Sequence, residues 1–349
     1  MSGALAARPS RRLPGWLLWA AILLAILAAV VLGVGMDRVV AGLYRPLPLL
    51  FGQLLLGLIN GAFYALLSLG LAVIFGMLNI INFAHGALFM LGAFVAWMLL
   101  TPNTWLGMIQ PGLAVPDWLT LGYWPALILA PLIVGAFGLL LERTVIRRLY
   151  KLDHLYGLLL TFGLALILEG LARNAFGSSG MPYRIPQSLS GATDLGFMFM
   201  PNYRGWVVVA AAGVCLLTWL IIEKTPLGAR LRAATENPGL VQAFGVNVPR
   251  MISLTYAGGI ALAAFAGVLA APIYSVNPNM GSNFIITVFA VVVIGGMGSI
   301  LGSIVTGFGL GIVEGLTKVY YPQASATVIF VVMVIVLLAR PAGLFGKGA

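Results

Sequence analysis

The chain has 349 residues, of which 61% are hydrophobic and only 8% charged, with a formal net charge of +10. Soluble domains are about 45–50% apolar, and a globule of this length has too little interior for such an excess, so the composition excludes a water-soluble domain in favour of a polytopic membrane protein. In such a chain the surplus of Lys and Arg answers to their retention in cytoplasmic loops, and no nucleic-acid partner is expected.

Arg8, Arg11 and Arg12 precede an apolar run from Gly15 to Met36. The run is longer than the roughly 7–15 residues of a signal-peptide core and ends on no small-x-small cleavage site, which favours an uncleaved anchor helix over a cleaved leader. Residues 1–45 are accordingly a basic segment plus an extra anchor, and 46–349 the transmembrane domain. Apolar runs able to cross about 30 Å predict further helices over 48–72, 77–100, 124–142, 155–175, 204–223, 251–272, 284–300, 302–320 and 325–340. Gly and Asn interrupt 72–86 and 276–300, where half-helices or hairpins are expected. The fold class is all-α: a polytopic transmembrane helical bundle with broken or re-entrant segments, in which an inverted repeat stays open.

With the N-terminus inside, thirteen Lys and Arg side chains fall in inner segments and four (Arg38, Arg45, Arg184 and Arg204) in outer ones. The positive-inside rule then places 224–250 and both termini in the cytoplasm. The polar stretch from Phe176 to Arg204, rich in Pro, Gly and Ser, becomes an external loop or short cap. Gly307, Gly311 and Gly315 share one helix face at a spacing of four, repeated by Gly57 and Gly61, and this spacing predicts close helix packing in lipid.

Within the apolar runs, Glu169 and Glu314 each have a cation four residues on, Arg173 and Lys318, in the favourable helical order. The pairs read as structural, with a proton relay as the competing role. There is no GxxxxGK[ST], HExxH or GxSxG, so neither an ATP-phosphate cradle nor an enzyme is expected. A single cysteine, Cys215, excludes an intrachain disulfide, and His85 and His154 have no metal-ligand spacing.

The segment "LRAATENPGLVQAFGVNVPR" (231–250) builds a short element between apolar stretches. Asn237 caps it, Pro238 opens it without losing a hydrogen bond, and Gly245 supplies the left-handed residue that ends it. Leu240, Val241 and Phe244 are expected on one side of about two turns, a length marginal alone in water. Its apolar face therefore needs cover, either from a groove on a cytoplasmic partner or from its own bundle. At the breaks, Asn79, Asn82 and His85 fall at i, i+3 and i+6, and Asn277, Asn279, Ser282 and Asn283 cluster in the second. These groups either line a substrate path or satisfy backbone amides freed by the breaks.

"NIINFAHG" (79–86), "GGMGSILGS" (295–303), "RPAGLFG" (340–346) and "ENPGLVQAFGVN" (236–247) resemble the permease subunits of branched-chain amino-acid ABC importers, over nearly the whole chain from Gly52 to Gly346. The resemblance implies a bacterial inner-membrane subunit that binds no ATP and pairs with an identical or related permease. Two cytoplasmic ATPase subunits would drive it, and a periplasmic solute-binding protein would deliver substrate. It also implies that Glu236, Asn237, Pro238, Leu240, Val241, Phe244 and Gly245 form the coupling helix on which the ATPases act. The expected cargo is a branched-chain or other hydrophobic amino acid, with urea and short amides also handled in the family. The chain departs from the family in the extra helix 15–36 and in Gly239–Leu240, where relatives more often carry an acidic residue and alanine. A gradient-driven secondary carrier or channel is the alternative class.

Overall fold

The computed structural model describes residues 47–78, 81–110, 115–116, 120–150, 153–196 and 198–346. The anchor expected over 15–36, and with it the division at residue 46, lies outside the described residues, as does Asn79. The rest is a helical bundle: α1 (Leu47–Leu78), α2 (Ala84–Leu100), α3 (Pro102–Ile109), α4 (Tyr123–Thr144), α5 (His154–Phe176), α6 (Asn202–Lys224), α7 (Pro226–Glu236), α8 (Pro238–Ala243), α9 (Val248–Tyr274), α10 (Ser282–Gly295), α11 (Ile300–Tyr320) and α12 (Val328–Ala339). A two-stranded hairpin, β1 (Ala192–Asp194) with β2 (Phe199–Pro201), is the sheet among the described residues. It decorates the Phe176–Arg204 loop, which is tied down where Met181 and Val276 exchange backbone hydrogen bonds of 2.7 and 3.0 Å.

Six described helices are long and apolar enough to cross a membrane, and α2 with α3 adds a pair bent by 103°. The multi-pass architecture follows from these alone. Two predicted spans are shorter than expected. The run 284–300 yields only Ser282–Gly295, 14 residues, or about 21 Å at 1.5 Å per residue. Gly296 and Gly298, at φ +101° and +81°, end it in a turn that a helix-forming residue would resist. The run 325–340 yields Val328–Ala339. At the other break, α1 continues to Leu78 and α2 begins only at Ala84.

α1 is the centre of the bundle: every residue from Gly61 to Ile74 is buried. It packs antiparallel on α11 through a seam of small residues. A Cβ on Gly57 would stand 2.4 Å from the Gly311 carbonyl oxygen, one on Gly311 2.3 Å from that of Gly57, and one on Gly307 2.5 Å from the Ala65 backbone. Lipid offers no hydrophobic drive for helices to associate, so close backbone approach of this kind supplies the dispersion contact instead. α5 and α6 stand at the periphery, with Ile167, Leu171, Leu216 and Leu217 exposed on their outer faces.

Helices α1, α4, α6, α10 and α12 finish at one end of the bundle, where α9 and α11 begin. That end gathers Arg143, Arg147, Arg148, Lys224, Arg230, Arg232, Arg250 and Arg340, whereas Arg173, Arg184, Arg204 and Lys318 belong to the opposite end.

Candidate functional site

At the basic end the chain leaves α6 through an elbow into α7 and α8. Pro226 opens α7, and Gly228 lies so close to the preceding turn that an added Cβ would collide with the Ile222 carbonyl. Arg232 folds back to donate to that same carbonyl at 2.7 Å and approaches Glu223 at 3.4 Å. The sequence reading missed α7 as a helix of its own. Its signals are Pro226 at the first helical position and the buried Leu231 and Ala234 three residues apart.

Asn237 Oδ1 then accepts from the Leu240 amide at 2.9 Å, starting α8, and Gly245 at φ +82° leaves it. Asn247 caps the next helix in the same way, accepting from Arg250 N at 3.1 Å. α8 has six residues, close to the two turns expected. Its three apolar side chains do not share a side, which corrects the expectation for Leu240, Val241 and Phe244. Val241 is buried with Ala234, Val248 and Met77, while Leu240 and Phe244 are 55% and 79% exposed. At 100° per residue, position 241 stands 100° from 240, and Phe244 is the C-cap just past the last helical residue. The helix thus rests on its own bundle by one edge and offers two large apolar groups outward by another. Glu236, Pro238 and Gly239 are exposed beside them.

The closing "RPAGLFG" segment returns to the same end. Leu344 N and Phe345 N donate to the carbonyls of Ile294 (2.8 Å) and Gly295 (3.0 Å), which α10 leaves without intrahelical partners. Arg340 Nη1 holds the clasp by bonding the Leu344 carbonyl at 2.8 Å. Between clasp, elbow and the end of α1 is a cavity of about 690 Å³, lined among others by Gly76, Met77, Arg232, Glu236, Met297 and Phe345. The elbow, the clasp and the end of α1 therefore border one space.

The first break is held by its own polar groups. Asn82, 1% exposed, accepts from Ala84 N at 3.1 Å and donates Nδ2 to the Tyr256 hydroxyl at 3.0 Å. His85, fully buried, donates Nε2 to the Leu67 carbonyl at 3.0 Å. Thr161 receives Phe83 N at 3.2 Å. Asn82 and His85 thus sit in helix packing, away from the cavity wall. Tyr256 and Thr161, remote in sequence, carried no local signal. At the second break Asn277 Oδ1 accepts from Asn279 N at 3.1 Å, and Ser282 Oγ donates to the Asn279 carbonyl at 2.9 Å. Asn279, Ser282 and Asn283 are exposed.

The carboxylates divide. Glu314, nearly buried, accepts from Tyr64 OH (2.8 Å), Asn60 Nδ2 (3.2 Å) and Lys318 Nζ, so the expected pair with Lys318 forms within a larger network. Glu169 and Arg173 make no direct ion pair, although the Arg173 charge still acts on the carboxylate. Among the described residues the ion pairs are Glu314–Lys318 and Glu223–Arg232. Arg173 instead donates to Asn279 Oδ1 at 2.7 Å, and Glu169 lies beside Ser282, whose hydroxyl is given to the Asn279 carbonyl. Glu142, placed at a helix end by the sequence, is buried and accepts from Tyr150 OH (2.7 Å) and Ser253 Oγ (2.5 Å). Burial, then the Glu142 carboxylate itself, push the Tyr150 phenol well above its ordinary value, so it stays a donor.

Comparison with known proteins gives one consistent result. The model of the family described as branched-chain amino acid transport system / permease component matches residues 53–338. The chain is 29% identical over 304 residues to the high-affinity branched-chain amino acid transport system permease protein LivH of Escherichia coli (strain K12), covering 84% of this chain and 95% of the relative. It is 30% identical over 306 residues to BraD of Pseudomonas aeruginosa, a permease protein of the same description, with the same coverage of 84% and 95%. Over 308 residues it is 27% identical to LivM of Escherichia coli (strain K12), covering 80% of this chain and 67% of that relative. No solved structure matches the chain significantly.

Proposed function

The chain belongs to the family of branched-chain amino acid transport permease components, and on that premise we propose that it is the membrane pathway of an ATP-driven importer worked through helix α8. The observation that carries this reading is the outward pair Leu240 and Phe244 on a capped helix at the basic end. Two large apolar side chains exposed there lack cover, and burying each contributes roughly 1.5–3 kcal/mol. A groove on a cytoplasmic ATPase supplies that cover.

In this reading the basic end faces the cytoplasm of a bacterial inner membrane, in keeping with the positive-inside rule. The chain pairs with an identical or related permease, two ATPase subunits bind ATP on its behalf, and a periplasmic binding protein delivers substrate to the opposite end. The chain does no covalent chemistry and needs no cofactor of its own. When the ATPases close, α8 is pushed. Val241, Ala234 and Val248 pass the push to α7 and α9, and Ser253 and Tyr256 on α9 pass it to α4 and to the start of α2 through Glu142 and Asn82. The cargo is a branched-chain or other hydrophobic amino acid.

Reconstituting the chain with its partner subunits in vesicles tests the proposal. Amino-acid uptake is expected to stop when ATP hydrolysis is blocked. Uptake that continues and follows a proton or sodium gradient is the result that rejects it.

A further inference from the structure

Helix α5 turns one face away from the bundle, and along that face the chemistry changes. Nearer the basic end it carries Phe162 and Leu166, 50% and 54% exposed. Phe162 stands 6.4 Å from Phe83, ring centroid to centroid, and Phe83 stands 6.0 Å from Phe289 on α10. One turn on, Glu169 meets Ser282, and four residues later Arg173 bonds Asn279. An apolar tract thus leads into a cluster with one acid, one base, an amide and a hydroxyl.

By helical rise Glu169 is only about 6 Å past the middle of α5, a helix long and apolar enough to cross a membrane. A charged side chain facing acyl chains there is strongly disfavoured. Intramembrane charges accordingly face a bundle interior or a water-filled path. Arg173 and Ser282 are exposed on this chain, which leaves the cluster open to such a path.

We propose that this α5–α10 face is the chain's share of the substrate route and reads an α-amino acid as its zwitterion. Glu169 receives the ammonium group, and Arg173, exchanging its bond to Asn279, receives the carboxylate through its planar fork. Phe162 and Leu166 take the apolar side chain. The inference rests on the permease reading above and assigns the residues that recognise its cargo.

The test uses the full transporter in vesicles, with radiolabelled L-leucine as the probe and binding-protein-stimulated ATP hydrolysis as a second readout. Glu169→Gln and Arg173→Gln are each expected to lower leucine uptake tenfold or more while the subunits still co-purify and hydrolysis is still stimulated. Ser282→Cys is expected to react with a membrane-impermeant thiol reagent, against a background in which the native Cys215 is buried. Unchanged uptake in both charge variants, or an unreactive Ser282→Cys, overturns the inference, since the face then touches lipid. Loss of co-purification overturns it as well, since the face is then a subunit contact. Absence of ATP-driven uptake by the unmodified transporter sinks the permease reading, and this inference with it.

Discussion

Val241 in α8 and Phe244 at its C-terminal cap lie three residues apart and end in opposite surroundings, the first 8% exposed against Ala234, Val248 and Met77, the second 79% exposed. The division separates what holds the coupling helix to the bundle from what a motor subunit can grip.

Phe244→Asp is expected to leave the permease folded and to abolish co-purification with the ATPases. Truncating a central interface aromatic typically costs at least about 2 kcal/mol, or roughly thirty-fold in affinity, and a carboxylate costs more. Val241→Ala is expected to do the reverse. It loses about 1.5 kcal/mol of local packing, at about 0.8 kcal/mol per methyl-sized group, while partner binding survives. Unchanged co-purification of the Phe244 variant refutes the coupling role.

Gly311→Val is expected to force α1 and α11 apart, because its Cβ would stand 2.3 Å from a backbone oxygen that has nowhere to go. Overpacking of this kind costs typically about 1–3 kcal/mol, seen as a lower melting temperature in detergent. Gly309→Ala, with nothing within 4 Å of its Cβ, is the control and is expected to be neutral or slightly stabilising.

Glu314→Gln distinguishes a structural carboxylate from a proton carrier. Three donors converge on Glu314, and an amide presents its own donor to at least one of them, at a cost of about 1–3 kcal/mol in stability. The pH profile of ATP-driven uptake is expected to stay where it was. A profile that moves with this substitution makes the proton-relay role the correct one.

Tyr256→Phe is expected to loosen the first break by leaving Asn82 Nδ2 buried without its acceptor, again about 1–3 kcal/mol. Since Tyr256 belongs to the helix that follows α8, the variant is also expected to hydrolyse ATP with less uptake per cycle. Equal uptake per ATP in variant and parent argues that movement does not pass through this bond.

How much was legible in the sequence depends on how far apart the interacting residues lie. Asn237, Pro238 and Gly245 announce a helix start and stop because capping is a contract between neighbours. The four-residue spacing of Gly307, Gly311 and Gly315 is visible for the same reason. That Gly57 and Gly61 are what they meet is not, since nothing local records a partner some 250 positions away. Glu169 shows the failure from the other side. Its helical neighbour Arg173 predicts a direct ion pair, and a break more than a hundred residues later takes the Arg173 hydrogen bond to Asn279 instead.

Composition and hydropathy by themselves determine that this chain belongs in a membrane and that its helices alternate in direction, because hydrocarbon tolerates no other backbone solution over such lengths. They also set the caps and the glycine turns, which are decided by the conformational limits of single residues. Only the packed bundle decided which side of α8 is covered and which is open. Burial is a property of what stands opposite, and every strand of evidence about that lies elsewhere in the chain. The same holds for the breaks, whose polar side chains were evident as residues but acquired their partners, Tyr256, Thr161 and Arg173, only when distant helices were brought together.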